Sequence, residues 1–272
     1  ADFVKRDTPV MCVIGNPPYR MMQPKDTDLT ILQYFKHNYN VAEFKIDLFH
    51  LFFQKGVQLL KVKGLLGFIA PSSLLNNVYA ENLRKWILNN TLIDQIALTK
   101  EKVFPDADVY TAVYVFERNS DSKTNIKHKL KITTELELAK SNTVINYSES
   151  KQSRFHSFEG TVWNILVNEA NISIIEKIKK NTTKLNSIST INRGLITGDR
   201  SKYFSNSKKS NKYQPILAGG DVHRYRVNPV SEYVLFEKPS GSGGCWDAAV
   251  HLAKSKIVIR QIGFSPTATI IQ

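Results

Sequence analysis

The chain is short of cysteine, of acidic residues and of long apolar runs, and each shortage excludes something. Cys12 and Cys245 are the two cysteines in 272 residues. They form no CxxC and no Cys/His cluster, so neither a zinc site nor a disulfide framework is expected, and no metal. The longest apolar run, residues 65–70, is far too short to span a membrane. No secretory or lipidation signal is present, and reduced cytoplasm is the default compartment. The sequence lacks a leading Met and stops without a turn, so both ends read as cut. Asp and Glu number 24 against 37 Lys and Arg, a net charge of +13. That imbalance points to a polyanionic partner.

The excess is uneven. Residues 1–119 hold 14 basic and 12 acidic side chains, and residues 120–272 hold 23 and 12. Within 177–226 there are 12 basic and 2 acidic. A near-neutral half joined to a basic half reads as a catalytic unit joined to one that grips nucleic acid. The alternative is a solvated lysine-rich surface.

The near-neutral half alternates strand and helix signals. Val10–Gly15 (VMCVIG) is an apolar run stopped by Asn-Pro-Pro, a buried parallel strand. Residues 44–61 carry a broad apolar stripe at helical period, ended by Lys63-Gly64. Residues 65–70 (LLGFIA) form the next strand, closed by Pro71. Residues 80–88 form a helix with Leu83, Trp86 and Ile87 inward, and 92–98 and 109–116 are further strands. Such alternation implies right-handed βαβ units and a parallel sheet, with ligands at the carboxyl ends of strands. From about residue 120 the pattern changes. Ile126, His128, Leu130 and Ile132 alternate with lysines as a half-exposed strand, 140–160 reads as loop, and 162–166 and 172–180 look helical. Short β-like pieces follow 181. The expected domains are 1–160, a helical link over 161–180, and 181–272. The glycines at 241–244 lack the context of a phosphate loop.

Asn16-Pro17-Pro18-Tyr19, at the end of the first strand, carries the chemistry. An exocyclic adenine amine is a poor nucleophile because its lone pair is delocalised into the ring. An Asn side-chain oxygen and a backbone carbonyl can accept both amine hydrogens and return electron density to nitrogen. The diproline fixes two φ angles and leaves the Pro17 carbonyl free of local pairing. Tyr19 offers a stacking face worth roughly 1–3 kcal/mol, which helps offset removal of a base from the duplex stack.

At these residues the sequence resembles the TaqI-like, gamma-class N6-adenine DNA methyltransferases of bacterial restriction–modification systems. Asp2-Phe3 followed by VIGNPPY resembles the family's DF…GNPPY arrangement. Residues 46–75 (IDLFHLFFQKGVQLLKVKGLLGFIAPSSLL) resemble its next block, and 102–117 (KVFPDADVYTAVYVFE) its VFP segment. Residues 193–204, 216–227 and 254–263 resemble its target-recognition domain. The resemblance implies an α/β fold: a partial class I, Rossmann-like methyltransferase sheet followed by a mixed, mostly β recognition domain. It implies S-adenosylmethionine as cofactor, held by Asp2, Phe3 and Phe49. Asn16, Pro17, Pro18, Tyr19 and Phe104 would then form the catalytic group, with Phe104 against the flipped base. The family's glycine-rich cofactor motif and ribose-holding acid precede the DF segment and are missing here, so half of the cofactor pocket is expected to be absent. The implied partner is double-stranded DNA, with a monomeric enzyme in a bacterial cytoplasm and no membrane. Lys208, Lys209 and Lys212 are the compact candidates for phosphates. Arg224 and Arg226, flanking Tyr225, are candidates for groove contacts.

Other readings are weaker. Pro105-Asp106 with Asp121-Ser122-Lys123 mimics a nuclease pattern, but the first half belongs to the VFP segment. A cytosine C5 enzyme needs Pro-Cys, and neither cysteine follows proline. Cytosine N4 enzymes usually place Ser or Asp before Pro-Pro-Tyr. RNA and protein-glutamine methyltransferases also use NPPY but rarely carry a long basic domain afterwards. A DNA-binding specificity fragment without catalysis of its own is the alternative of another class. His50 lies on the 44–61 helix and is expected to be a packed or surface residue rather than a base.

Overall fold

Turn chemistry and apolar period divide the chain into two units, Ala1–Lys180 and Asn181–Gln272, in a computed structural model. The structure describes residues 8–24, 27–42, 45–104, 109–119, 121–137, 146–167, 169–240, 242–261 and 265–271. The first unit runs through β1 (Val10–Gly15), β2 (Met21–Met22), α1 (Leu29–Asn38), β3 (Ile46–Asp47), α2 (Leu48–Leu59), β4 (Leu60–Pro71), α3 (Glu81–Asn90) and β5 (Thr91–Thr99). It continues through β6 (Thr111–Arg118), α4 (Ser122–Lys127), β7 (Lys129–Leu136), β8 (Ser148–Lys151) and α5 (Glu169–Lys180).

Six strands form one sheet in the order β1-β4-β6-β5-β7-β8. β1 lies parallel to β4, with Cys12 opposite Leu65 and Gly15 opposite Phe68. β5 and β7 are also parallel. The sheet is not parallel throughout, as the βαβ reading expected. β6 lies antiparallel between β4 and β5. The reason is the connection: no helix lies among the described residues between β5 and β6, and without a crossover the chain can only return antiparallel.

α2 buries the stripe the sequence promises, with Phe49, Leu51, Phe53 and Val57 inward. Gly56 lets it approach β4, because a Cβ there would lie 2.6 Å from Leu66 Cδ1. Lys63-Gly64 does not end this helix. α2 stops at Leu59, and residues 61–64 form an irregularity within β4, where the register to β1 shifts between Val10↔Leu60 and Cys12↔Leu65. Lys63 has φ of 66° there, and a Cβ on Gly64 would crowd the Met11 carbonyl at 3.0 Å.

The core is aromatic. Phe53 packs edge-on against Phe68 and Tyr114, and Phe116 against Trp163, which stacks on Phe155 at 5.3 Å. The 162–166 segment is not helical. The Trp163 backbone N–H donates to the Leu75 carbonyl at 2.8 Å, and the indole lies inside the core. Fully buried Arg84 binds the carbonyls of Leu74, Asn77, Gly160 and Thr161, joining that segment to the turn after β4. The 140–160 stretch is not all loop either: it includes β8, whose Ser150 is buried beside β7.

The second unit is mostly β. It contains α6 (Leu185–Ile188), β9 (Leu195–Ile196), α7 (Arg200–Tyr203), β10 (Phe204–Ser205), β11 (Tyr213–Ile216), β12 (Val222–His223) and β13 (Arg226–Val227). β14 (Glu232–Leu235), β15 (Gly243–Gly244), α8 (Ala248–His251), β16 (Lys256–Ile259) and β17 (Ala268–Ile271) complete it. β10, β14 and β11 make an antiparallel sheet, and β12–β13, β15–β9 and β16–β17 are separate pairs. Val222 and Val234 are its buried apolar side chains among the described residues.

Candidate active site

β1 delivers Asn16-Pro17-Pro18-Tyr19 to the carboxyl end of the sheet. Gly15 permits this because it sits against Phe68, where a Cβ would be 3.3 Å from the ring. Beyond it the burial alternates: Asn16 is exposed, Pro17 buried, Pro18 exposed and Tyr19 half-buried. The alternation follows from the diproline, whose fixed φ angles keep the segment extended.

Tyr19 is held on several sides. Its hydroxyl donates to the Ile69 carbonyl near the end of β4 at 3.0 Å. Its ring meets Phe49 edge-on at 6.4 Å and Phe104 at 6.2 Å. Burial pushes the phenol up to about 12. A second phenol works on the same strand end. Tyr114, on β6, donates to the Pro71 carbonyl at 3.0 Å, and burial raises its pKa as well. Two tyrosines from different elements thus fix carbonyls two residues apart.

The chain after Tyr19 is clamped as well. Arg20 carbonyl accepts from Leu48 N–H at 3.0 Å, and Met21-Met22 pair antiparallel with Ile46-Asp47. The loop is therefore tied to the first turn of α2. That turn contains two polar groups that sequence reading did not place in the site. Asp47 precedes the helix, and its Oδ1 is buried with no hydrogen-bond partner among the described residues. Burial raises its pKa, while the amides of Phe49, Arg20 and Leu48 pull the other way. An Asp directly before an apolar stripe is a helix-start signal and could have marked it. His50, expected to be packed or on the surface, is packed inside, and its Nδ1 has no hydrogen-bond partner among the described residues. Burial, with Arg84 adding to it, lowers its pKa to about 4, so the ring is neutral at pH 7.

The structure therefore gathers Tyr19, Phe49 and Phe104 into one aromatic cluster directly after Asn16. Phe49 is the most enclosed, 2% exposed and packed on Phe53 as well. Asp2 and Phe3 lie outside the described residues. Among the described residues no group of three or more His, Cys, Asp or Glu could hold a metal, and no helix is long and apolar enough to cross a membrane.

In the second unit Lys208, Lys209 and Lys212 are all exposed. They are not equivalent, because Lys212 Nζ sits 2.6 Å from Glu237 Oε1, and the hydrogen bond to that carboxylate, with its charge, raises the Lys212 pKa. Arg224 and Arg226 are exposed beside Tyr225 at the tip of the β12–β13 hairpin, and neither pairs with a carboxylate among the described residues.

Residues 10–104 match the family described as Eco57I restriction-modification methylase. Over 92% of its length the chain is 27% identical to RM.MjaORFECS2P of Methanocaldococcus jannaschii, provisionally named a type II restriction enzyme and methyltransferase, and covers 20% of it. Over 40% of its length it is 29% identical to the type II restriction enzyme and methyltransferase RM.Eco57I of Escherichia coli, covering 11% of that protein. Among solved structures, the type IIG restriction endonuclease BpuSI superposes with a TM-score of 0.46 at 18% identity, over 83% of this chain and 31% of that one. The chain spans about a fifth or less of the length of these two curated relatives.

Proposed function

We propose that this chain, whose residues 10–104 match the Eco57I restriction-modification methylase family, serves methylation of adenine N6 in duplex DNA. The observation that carries this reading is an exposed Asn16 at the carboxyl end of a parallel strand, next to a pinned tyrosine.

Asn16 Oδ1 accepts one hydrogen of the adenine amine, and the Pro17 carbonyl accepts the other. Both acceptors localise the nitrogen lone pair as it attacks the methyl carbon, and loss of one such preorganised group costs about 2.7–4 kcal/mol. Tyr19 and Phe104 receive the extruded ring. The product nitrogen, cationic after transfer, is acidic enough to lose its proton to water, so His50 is not required as a base. Buried and neutral, it belongs to the wall.

S-adenosylmethionine would supply an electrophilic methyl on a sulfonium. The residues present fit one side of such a cofactor: Phe49 would give it an apolar wall, and Asp47 Oδ1, buried with no partner among the described residues, puts a polar atom beside that wall. Asp2 and Phe3 are assigned to the cofactor on the family resemblance. In the second unit, Lys208 and Lys209 offer free charge for phosphates, Lys212 offers less, and Arg224 and Arg226 face the grooves.

The test is Asn16→Ala in the full-length protein. Methyl transfer should fall by about a hundredfold or more while duplex binding persists. Near-normal turnover would overturn the assignment. A protein-glutamine or RNA substrate is separated by the same assay run with each as methyl acceptor.

A further inference from the structure

The β12–β13 hairpin presents a feature that packing does not explain. His223 pairs with Arg226, and Arg224-Tyr225 make the turn between them. Tyr225 has φ of 64°, the left-handed region where Gly, Asn and Asp normally serve hairpin turns and a bulky aromatic is an outlier. A strained side chain usually repays its cost by burial, yet Tyr225 is 79% exposed. The one hydrogen bond of its hydroxyl among the described residues is a long one from the neighbouring Arg224, 3.4 Å. Strain held without local compensation gathers at ligand-binding positions.

The surroundings hold this tip firmly. Asp221 Oδ2 accepts from Ala218 N–H at 2.8 Å, and the Asp221 carbonyl accepts from Asn228 N–H at 2.9 Å, closing the hairpin base over buried Val222. Tyr225 N–H donates to the Ala268 carbonyl at 3.3 Å, which ties the tip to β17. The ring is therefore displayed on a supported turn. Arg224 lies over it, guanidinium 5.2 Å from the centroid.

The charge of the second unit selects the class of ligand. Residues 181–272 hold 13 Lys and Arg against 5 Asp and Glu, and from 181 to 226 the acids are Asp199 and Asp221. Both turn onto local partners: Asp199 accepts from Ser201 and Lys202, Asp221 from Ala218. Arg224 and Arg226 are exposed and pair with no carboxylate among the described residues, and an aromatic flanked by them matches a charged backbone with a flat π-face beside it.

We propose that Tyr225 is the stacking residue of this unit, wedging its ring against a base whose face is opened at a partly unstacked step of the duplex, while Arg224 and Arg226 hold the strand on either side. The proposal rests on the DNA reading above and adds a specific reader to it. An uncharged ring contributes affinity without counterion release, so its loss should leave the salt dependence intact.

The experiment measures duplex binding and thermal unfolding of the full-length protein with Tyr225→Gly and Tyr225→Trp. Glycine relieves the backbone strain, so its unfolding midpoint should hold or rise. Its binding should weaken roughly 5- to 150-fold, the span of one base–aromatic stack, at an unchanged log–log salt slope. Tryptophan should bind within about threefold of wild type, since it keeps a ring face. Wild-type affinity in the glycine variant overturns the proposal. So does an equal loss in both variants, or a fall in the glycine variant's midpoint. Failure of the wild-type protein to bind duplex DNA instead overturns the DNA reading itself.

Discussion

Replacing Tyr19 by Phe removes one hydroxyl, and its surroundings set the size of the effect. The lost bond is a half-buried donor to the Ile69 carbonyl at 3.0 Å. Net loss of such a bond costs about 0.5–1.5 kcal/mol, or roughly two- to tenfold in any step that depends on the ring's position. The edge-on contacts with Phe49 and Phe104 survive, because the ring stays. Tyr19→Ala removes everything. Each aromatic pair contributes about 0.5–1.5 kcal/mol beyond area burial, and a base stack about 1–3 kcal/mol. The alanine variant should therefore lose more than about thirtyfold. The assay is methyl transfer to a target duplex, with 2-aminopurine fluorescence at the target adenine to report base extrusion. Phe should keep the fluorescence rise and Ala should lose it. Equal losses in the two variants would refute the argument that the ring, positioned by the hydroxyl, does the work. No loss in either would remove Tyr19 from the site. The phenol, pushed up to about 12, stays neutral through ordinary assay conditions, so no pH limb should arise from it. Its contribution to stability is complete below about pH 10 and lost as pH rises towards 12.

Two further outcomes follow from the same geometry. His50 is depressed to about 4 from an ordinary 6.5, so the stability linked to its neutral form is complete above pH 6.5 and lost as pH falls through 4. The loss amounts to about 3 kcal/mol; denaturant melts of His50→Leu should show a flatter acid limb, and an identical limb would contradict the assignment. Lys208→Ala with Lys209→Ala should reduce the log–log salt slope of duplex binding by about 0.9 for each phosphate no longer neutralised, whereas Lys212→Ala, already paired with Glu237, should change it less. A salt titration giving the wild-type slope for the double variant would show that this segment does not grip phosphates.

The parts legible in the sequence are those where a local pattern dictates a local structure. VMCVIG followed by Asn-Pro-Pro reads as a parallel strand and is one, and the stripe over 44–61 buries one helix face. The burial expected of VMCVIG is not found: β1 is an edge strand of the sheet, and Met11, Cys12 and Ile14 are exposed. The direction of β6 was hidden because β-propensity says nothing about orientation. Orientation depends on the connection, and the crossover helix that would have announced a parallel strand is not among the described residues between β5 and β6. Lys63-Gly64 misled for a related reason. A Lys-Gly pair suits a helix C-terminus and a strand irregularity equally well, and the choice rests on the approach of Met11 from another strand.

The site shows the same division more sharply. Asn16 and Tyr19 are readable because their chemistry sits in four consecutive residues. What holds them is spread over much of the first unit: Ile69 and Pro71 offer carbonyls, Tyr114 comes from β6, and the 46–48 backbone clamps the loop. Such support cannot be found by spacing, since a backbone carbonyl leaves no mark on residue identity. Arg84 makes the point for the core. Read in sequence it is one more surface cation on an amphipathic helix, yet it is fully buried and bound to four carbonyls from two separated segments. Burying that charge is costly unless its donors are satisfied, and only the tertiary fold brings the carbonyls to it. Tyr225 is the converse case. Its residue type in a hairpin turn runs against the local rule, and a local rule broken without burial to offset it directs attention to what lies outside the chain.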